Sequence, residues 1–150
     1  MLPTIWFRNT WSWTDGAARP VLQASVGSRL AAVELLPAEG DRRHLYCDDQ
    51  PELLFVENET NASRVWGVPN RSPFVKDGIH DLVVNGRDDA VNPARRGTKA
   101  AAHYAESIAP GASATWRLRL MDRPAVPAVR PPLAFYATIA PPDFPPTRDV

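Results

Sequence analysis

Glu57 and Glu59 stand one residue apart in a polar burst, Glu57-Asn58-Glu59-Thr60-Asn61, directly after the most apolar run of the chain. Glycoside hydrolysis uses paired carboxyl groups, one as acid and one as base or nucleophile, so this pair invites that reading. On a strand the two would share one face, about 7 Å apart by strand rise. Nothing beside them in the sequence drives their pKa values apart, as such chemistry requires. A loop that satisfies its own backbone, or that holds a neighbouring loop, is the alternative. Asn58-Glu59-Thr60 and Asn61-Ala62-Ser63 also match the glycosylation sequon, a triplet that arises often by chance.

Residues 6–13 (WFRNTWSW) place Trp6, Trp11 and Trp13 close together. On a strand, Trp6 and Arg8 would share one face with Thr10, and Asn9, Trp11 and Trp13 the other with Phe7. Indole faces stack on the apolar faces of sugars, but large rings also fill cores and domain interfaces. Both readings stand. Residues 74–104 gather many polar groups, among them Lys76, Asp77, His80, Asp81, Asn92 and Lys99. Asp77 and Asp81 flank His80 closely enough to suggest a small metal site or enzyme. The spacing of zinc and calcium loops is absent, and no metal is expected.

Other chemistry finds no support. Lys and Arg number 17, as do Asp and Glu, so no basic surplus points to nucleic acid. No P-loop, dinucleotide fingerprint, nucleophile elbow or H-E-x-x-H occurs, so no cofactor is expected. Cys47 is the single cysteine and reads as a reduced, buried thiol. No run approaches the ~20 apolar residues of a membrane span. Residues 1–13 lack the basic-then-apolar order of a signal peptide. Read at face value, the chain is cytoplasmic.

The elements that must position these groups read mostly as strands. Around the Pro110-Gly111 turn signal, Ala114, Trp116, Leu118 and Leu120 alternate with Thr115, Arg117 and Arg119. That is the period of a sheet with one face in the core, and the turn predicts a strand pair about it. Residues 53–57 (LLFVE) suit a buried central strand, and 43–47 and 79–84 shorter ones. Asn85-Gly86 marks a tight turn, and 85–97 a long polar loop. Residues 28–36 and 98–109 carry helix-favouring Ala, Leu and Glu and could be helix or strand. Eight of the sixteen prolines fall within 124–146. Proline lacks the amide donor and fixes φ, so 124–150 reads as a proline-rich irregular tail or linker behind a domain at 1–123, with a short apolar run at 133–139.

Four stretches, LPTIWFRNTWSW (2–13), ELLFVENETNASRVWGV (52–68), PFVKDGIHDLVVNGRDDAVNPARRGTKAAAHY (73–104) and WRLRL (116–120), resemble bacterial glucosidases. These are similar to mannosyl-oligosaccharide glucosidases of glycoside hydrolase family 63. The resemblance runs over residues 2–121 in the family's order. It implies a mainly β chain, an antiparallel β-sandwich, that packs against a catalytic (α/α)6 barrel too large for this chain. The catalytic carboxylates belong to that barrel, so the resemblance assigns none here. It settles 28–36 and 98–109 as strands. It also implies an incomplete sandwich, because family members are already well inside theirs at the position of Met1. The tail after Arg123 departs from the family, as a frame shift or truncation would cause. An incomplete sheet leaves open edges that invite self-association. The expected partners are therefore the barrel or a carbohydrate; a stand-alone carbohydrate-binding module built on Trp6, Trp11 and Trp13 is the competing expectation.

Overall fold

The computed structural model describes residues 1–14, 16–26 and 30–122. Two antiparallel sheets make up the body. A short one is ordered β1 (Thr4–Trp6), β7 (Lys99–His103), β5 (Glu52–Val56). A longer one is ordered β6 (Arg96–Gly97), β2 (Val21–Ala24), β3 (Ala31–Leu36), β4 (Arg43–Cys47), β8 (Leu118–Met121). Between β5 and β6 lie α1 (Ala62–Trp66), α2 (Gly78–Asn85) and a short 3-10 turn at Asp88–Ala90. The predicted tail at 124–150 lies outside the described residues.

The two sheets face each other across one core. Leu22, Val33, Leu35 and Cys47 come from the long sheet; Leu53, Phe55, Ala100, Ala102 and Tyr104 come from the short sheet and its continuation. Alternation then puts Leu54, Val56 and Ala101 on the back of the short sheet, where Ile79 of α2, with Leu82, Phe74 and Val91, covers them. The alanines of β7 are what let the layers approach: each is almost fully buried with only a methyl group to place. Tyr104 ties the sheets together at one end. Its hydroxyl donates to the Asp48 carbonyl at 2.9 Å, and its ring meets Trp116 at 5.4 Å between centroids.

Several sequence-based expectations change here. Residues 79–84 form helix, not strand. Ile79 and Leu82 bury one helical face against β5, and Gly86 stops the helix in the left-handed conformation (φ 67°). Packing overrides the strand preference of the two valines, and Asn85-Gly86 becomes a helix end. β5 is buried on both faces as expected, yet it is the outermost strand of its sheet. Its burial comes from the layers above and below. Its outer edge is covered by the loop expected at 85–97, where Asn92 N donates to the Phe55 carbonyl at 2.9 Å. No hairpin forms about Pro110-Gly111, because β7 and β8 belong to different sheets. β8 begins only at Leu118, and its leucines, cross-strand from Cys47 and Leu45, stay 37% and 52% exposed where the alternation predicts a core face. The ambiguous stretches do contribute strands, β3 and β7.

Candidate functional site

β1 ends at Trp6, and Phe7 N still donates to the Thr98 carbonyl at 3.0 Å. Then the chain turns, with Trp13 N donating to the Thr10 carbonyl at 3.2 Å. The turn breaks the strand alternation expected through Trp13 and separates the indoles. Trp11 is 9% exposed, whereas Trp6 is 57% and Trp13 70% exposed.

Trp11 points at the polar burst after β5. Its Nε1 donates to Glu59 Oε1 at 3.0 Å. Arg19 enters from the segment before β2. A single guanidinium nitrogen reaches Glu57 Oε2 at 2.6 Å and Glu59 Oε1 at 3.0 Å, while the guanidinium carbon lies 5.6 Å from the Trp11 ring centroid. The Thr98 hydroxyl donates to Glu57 Oε2 at 2.7 Å and accepts from Asn58 N at 2.7 Å. Asn58 Nδ2 donates to the Phe7 carbonyl at 2.9 Å, and Asn9 Nδ2 to the Asn58 carbonyl at 3.3 Å. The carboxylates therefore do not stand along a strand face. They lie in a loop and converge on one cation. Each charge is paired and hydrogen-bonded, the condition under which partly buried carboxylates are tolerated. The arrangement fastens the 7–20 segment to the 57–59 loop.

A second network continues from it. Lys76 N donates to the Glu59 carbonyl at 3.0 Å, and its Nζ to the Thr60 hydroxyl at 3.1 Å. Asn61 caps α1 by accepting from Arg64 N, and its Nδ2 donates to both Asp77 oxygens at 3.3 and 3.1 Å. Arg64 reaches Asp77 at 3.4 Å. Lys99 Nζ donates to the Lys76 carbonyl at 3.0 Å; burial lowers its pKa, and the Lys76 charge lowers it further. Trp6 is the cross-strand neighbour of Lys99 on this side of the sheet.

The remaining candidates separate. Asp81 faces Arg87 at 3.6 Å and accepts from Asn85, turned from the Asn61–Arg64 partners of Asp77. His80 is exposed. Among the described residues no group of three His, Cys, Asp or Glu is placed to hold a metal ion. Asn92 Nδ2 donates to the Arg96 carbonyl at 2.7 Å and so shapes the loop beside β5. Arg8 lies over the Trp13 ring at 5.6 Å. Arg19 and Thr98 were not singled out from the sequence. Neither belongs to a motif: Thr98 gains its role when β7 pairs with β5, and Arg19 when the segment before β2 of the other sheet reaches the loop after β5.

No family model and no solved structure matches the chain. Among curated proteins, the uncharacterized protein YMR196W of Saccharomyces cerevisiae is 39% identical over 79 residues. The match covers 51% of this chain and 7% of the yeast protein. Among the described residues no helix is long and apolar enough to cross a membrane.

Proposed function

We propose that this chain is the β-sandwich portion of a carbohydrate-active protein resembling glycoside hydrolase family 63, and that it supports a catalytic (α/α)6 barrel and borders its cleft. The observation that carries the reading is a contrast at one end of the sandwich. Glu57 and Glu59 are both held by Arg19, and Glu59 also by Trp11, whereas Trp6 (57%), Trp13 (70%) and Trp66 (65%) remain exposed on segments tied to that network. Exposed indoles beside pinned carboxylates suit an interface better than a hydrolytic centre, since aromatic anchors are enriched at interfaces. A similar stretch occurring as 7% of a far longer yeast protein is in keeping with a supporting role.

The stand-alone module is the second reading, favoured by the same exposure. Trp6 and Trp66 would then offer the platforms, because Trp11 is buried and Trp13 carries Arg8 over one face. Calorimetric titration of the chain against an isolated family 63 barrel separates the two. The interface reading expects a saturable complex, weakened at least about tenfold by Trp66→Ala or Trp6→Ala. Binding of gluco-oligosaccharides with no affinity for the barrel would favour the module, and hydrolysis of an aryl α-glucoside by the chain alone would overturn both.

A further inference from the structure

Among the described residues the two sheets are unequal, three strands against five, and the mismatch falls at β8. β5 packs over β2, β3 and β6, so among the described residues the short sheet lies towards the β6 end of the long one and away from β8. Leu118 and Leu120 share the face of their cross-strand partners Cys47 and Leu45, yet they are 37% and 52% exposed. Among the described residues the outward backbone of the same two residues has no strand beside it. Arg117 accepts from Asp48 N at 3.0 Å in continuation of the β4–β8 register. In an antiparallel ladder the next hydrogen-bonded positions towards β4 are then Arg119 and Met121, and the N–H and C=O groups of Leu118 and Leu120 turn to the outer edge. Among the described residues no strand pairs there. On the other face stand two arginines. Arg119 makes no ion pair among the described residues, and Arg117 reaches Asp48 only at 3.8 Å with 80% of its side chain exposed.

We infer that β8 is an acceptor edge for a strand from a partner protein, in which apolar residues alternate with Asp or Glu. The apolar set would lie beside Leu118 and Leu120 and close the end of the core. The acidic set would lie across from Arg117 and Arg119, where opposite charges stabilise a cross-strand pair. A second copy of this chain fits less well, since the two-fold register that sets Leu118 against Leu120 also sets Arg119 against Arg119. The inference rests on this edge alone and holds whatever the parent protein does.

The test is binding of short labelled peptides to the whole chain, followed by anisotropy. A peptide alternating valine with glutamate is expected to bind about tenfold more tightly than one alternating valine with lysine, and Arg119→Glu is expected to reverse that order. Amide exchange should slow at Leu118 and Leu120. Leu120→Pro removes an outward N–H without touching the bonds to β4, so it should abolish binding and leave the circular dichroism unchanged. Equal affinity for the two peptides, absence of binding, or binding that survives Leu120→Pro would overturn the inference. A concentration-dependent dimer lost in Leu120→Pro, with no peptide binding, would overturn it in favour of a second copy.

Discussion

Arg19 neutralises two carboxylates whose side chains are only 17% and 11% exposed, although 42% of its own side chain meets solvent. Replacing it by methionine keeps an unbranched side chain, removes the cation over Trp11 and leaves two like charges together. We expect Arg19→Met to cost roughly 2–3 kcal/mol in urea unfolding. Adding Glu59→Gln should restore part of that loss, because the amide oxygen still accepts from Trp11 and one charge is gone. If the double variant is no more stable than the single one, repulsion is not the cause. His44 presents the opposite situation. It is 5% exposed on the outer face of the long sheet, its Nδ1 has no partner among the described residues, and its ring stacks on Tyr46 at 6.0 Å. Glu34, 3.8 Å from its Nε2, is already served by Arg42 and Gln23, both at 2.7 Å. His44→Phe keeps the stack and removes the orphan, so a gain of about 1 kcal/mol is expected in the same assay.

At the scale of elements, two glycines separate close approach from conformation. Gly97 lies in β6 against the backbone of β5, and a Cβ there would collide with the Val56 carbonyl. Gly86 ends α2 with positive φ in open space. Gly97→Ala must push β6 away from β5 and is expected to cost about 2–3 kcal/mol. Gly86→Ala meets only the left-handed penalty, about 1 kcal/mol. Chemical denaturation of both variants checks the order. Equal losses would mean that the sandwich yields locally at Gly97. Part of this was legible in the sequence: Asn85-Gly86 signals positive φ through residue type, while Gly97 carries no local mark, since the carbonyl that demands it is far away in the chain.

At the scale of the molecule, Tyr104 joins the sheets, and its ionisation therefore reports on their contact. Burial, followed by the negative groups at Cys47, Asp48 and Asp49, pushes its pKa from 10.0 up to about 12. The folded state thus keeps the proton longer than the unfolded one. The resulting stability is whole below about pH 10 and is lost as pH rises towards about 12. Urea midpoints taken across that window should fall more steeply for the natural chain than for Tyr104→Phe. Parallel curves for the two would show that the hydroxyl does not titrate against folding.

The sequence by itself determined where β4 and β5 run and that the chain is mainly β; its residues left 28–36 and 98–109, which become β3 and β7, open between helix and strand. Those properties depend on side-chain period and turn chemistry, which are local. It also singled out the carboxylates and the indoles, but as residue types without partners. Only the tertiary structure decided that 79–84 is helix, that β5 is outermost, and that β7 and β8 part into different sheets. It decided too that Trp11 is buried while Trp6 and Trp13 are not, and that Arg19 pins Glu57 and Glu59 together. Each of these depends on contacts between residues distant in sequence, and a local pattern cannot encode which distant backbone or cation will arrive.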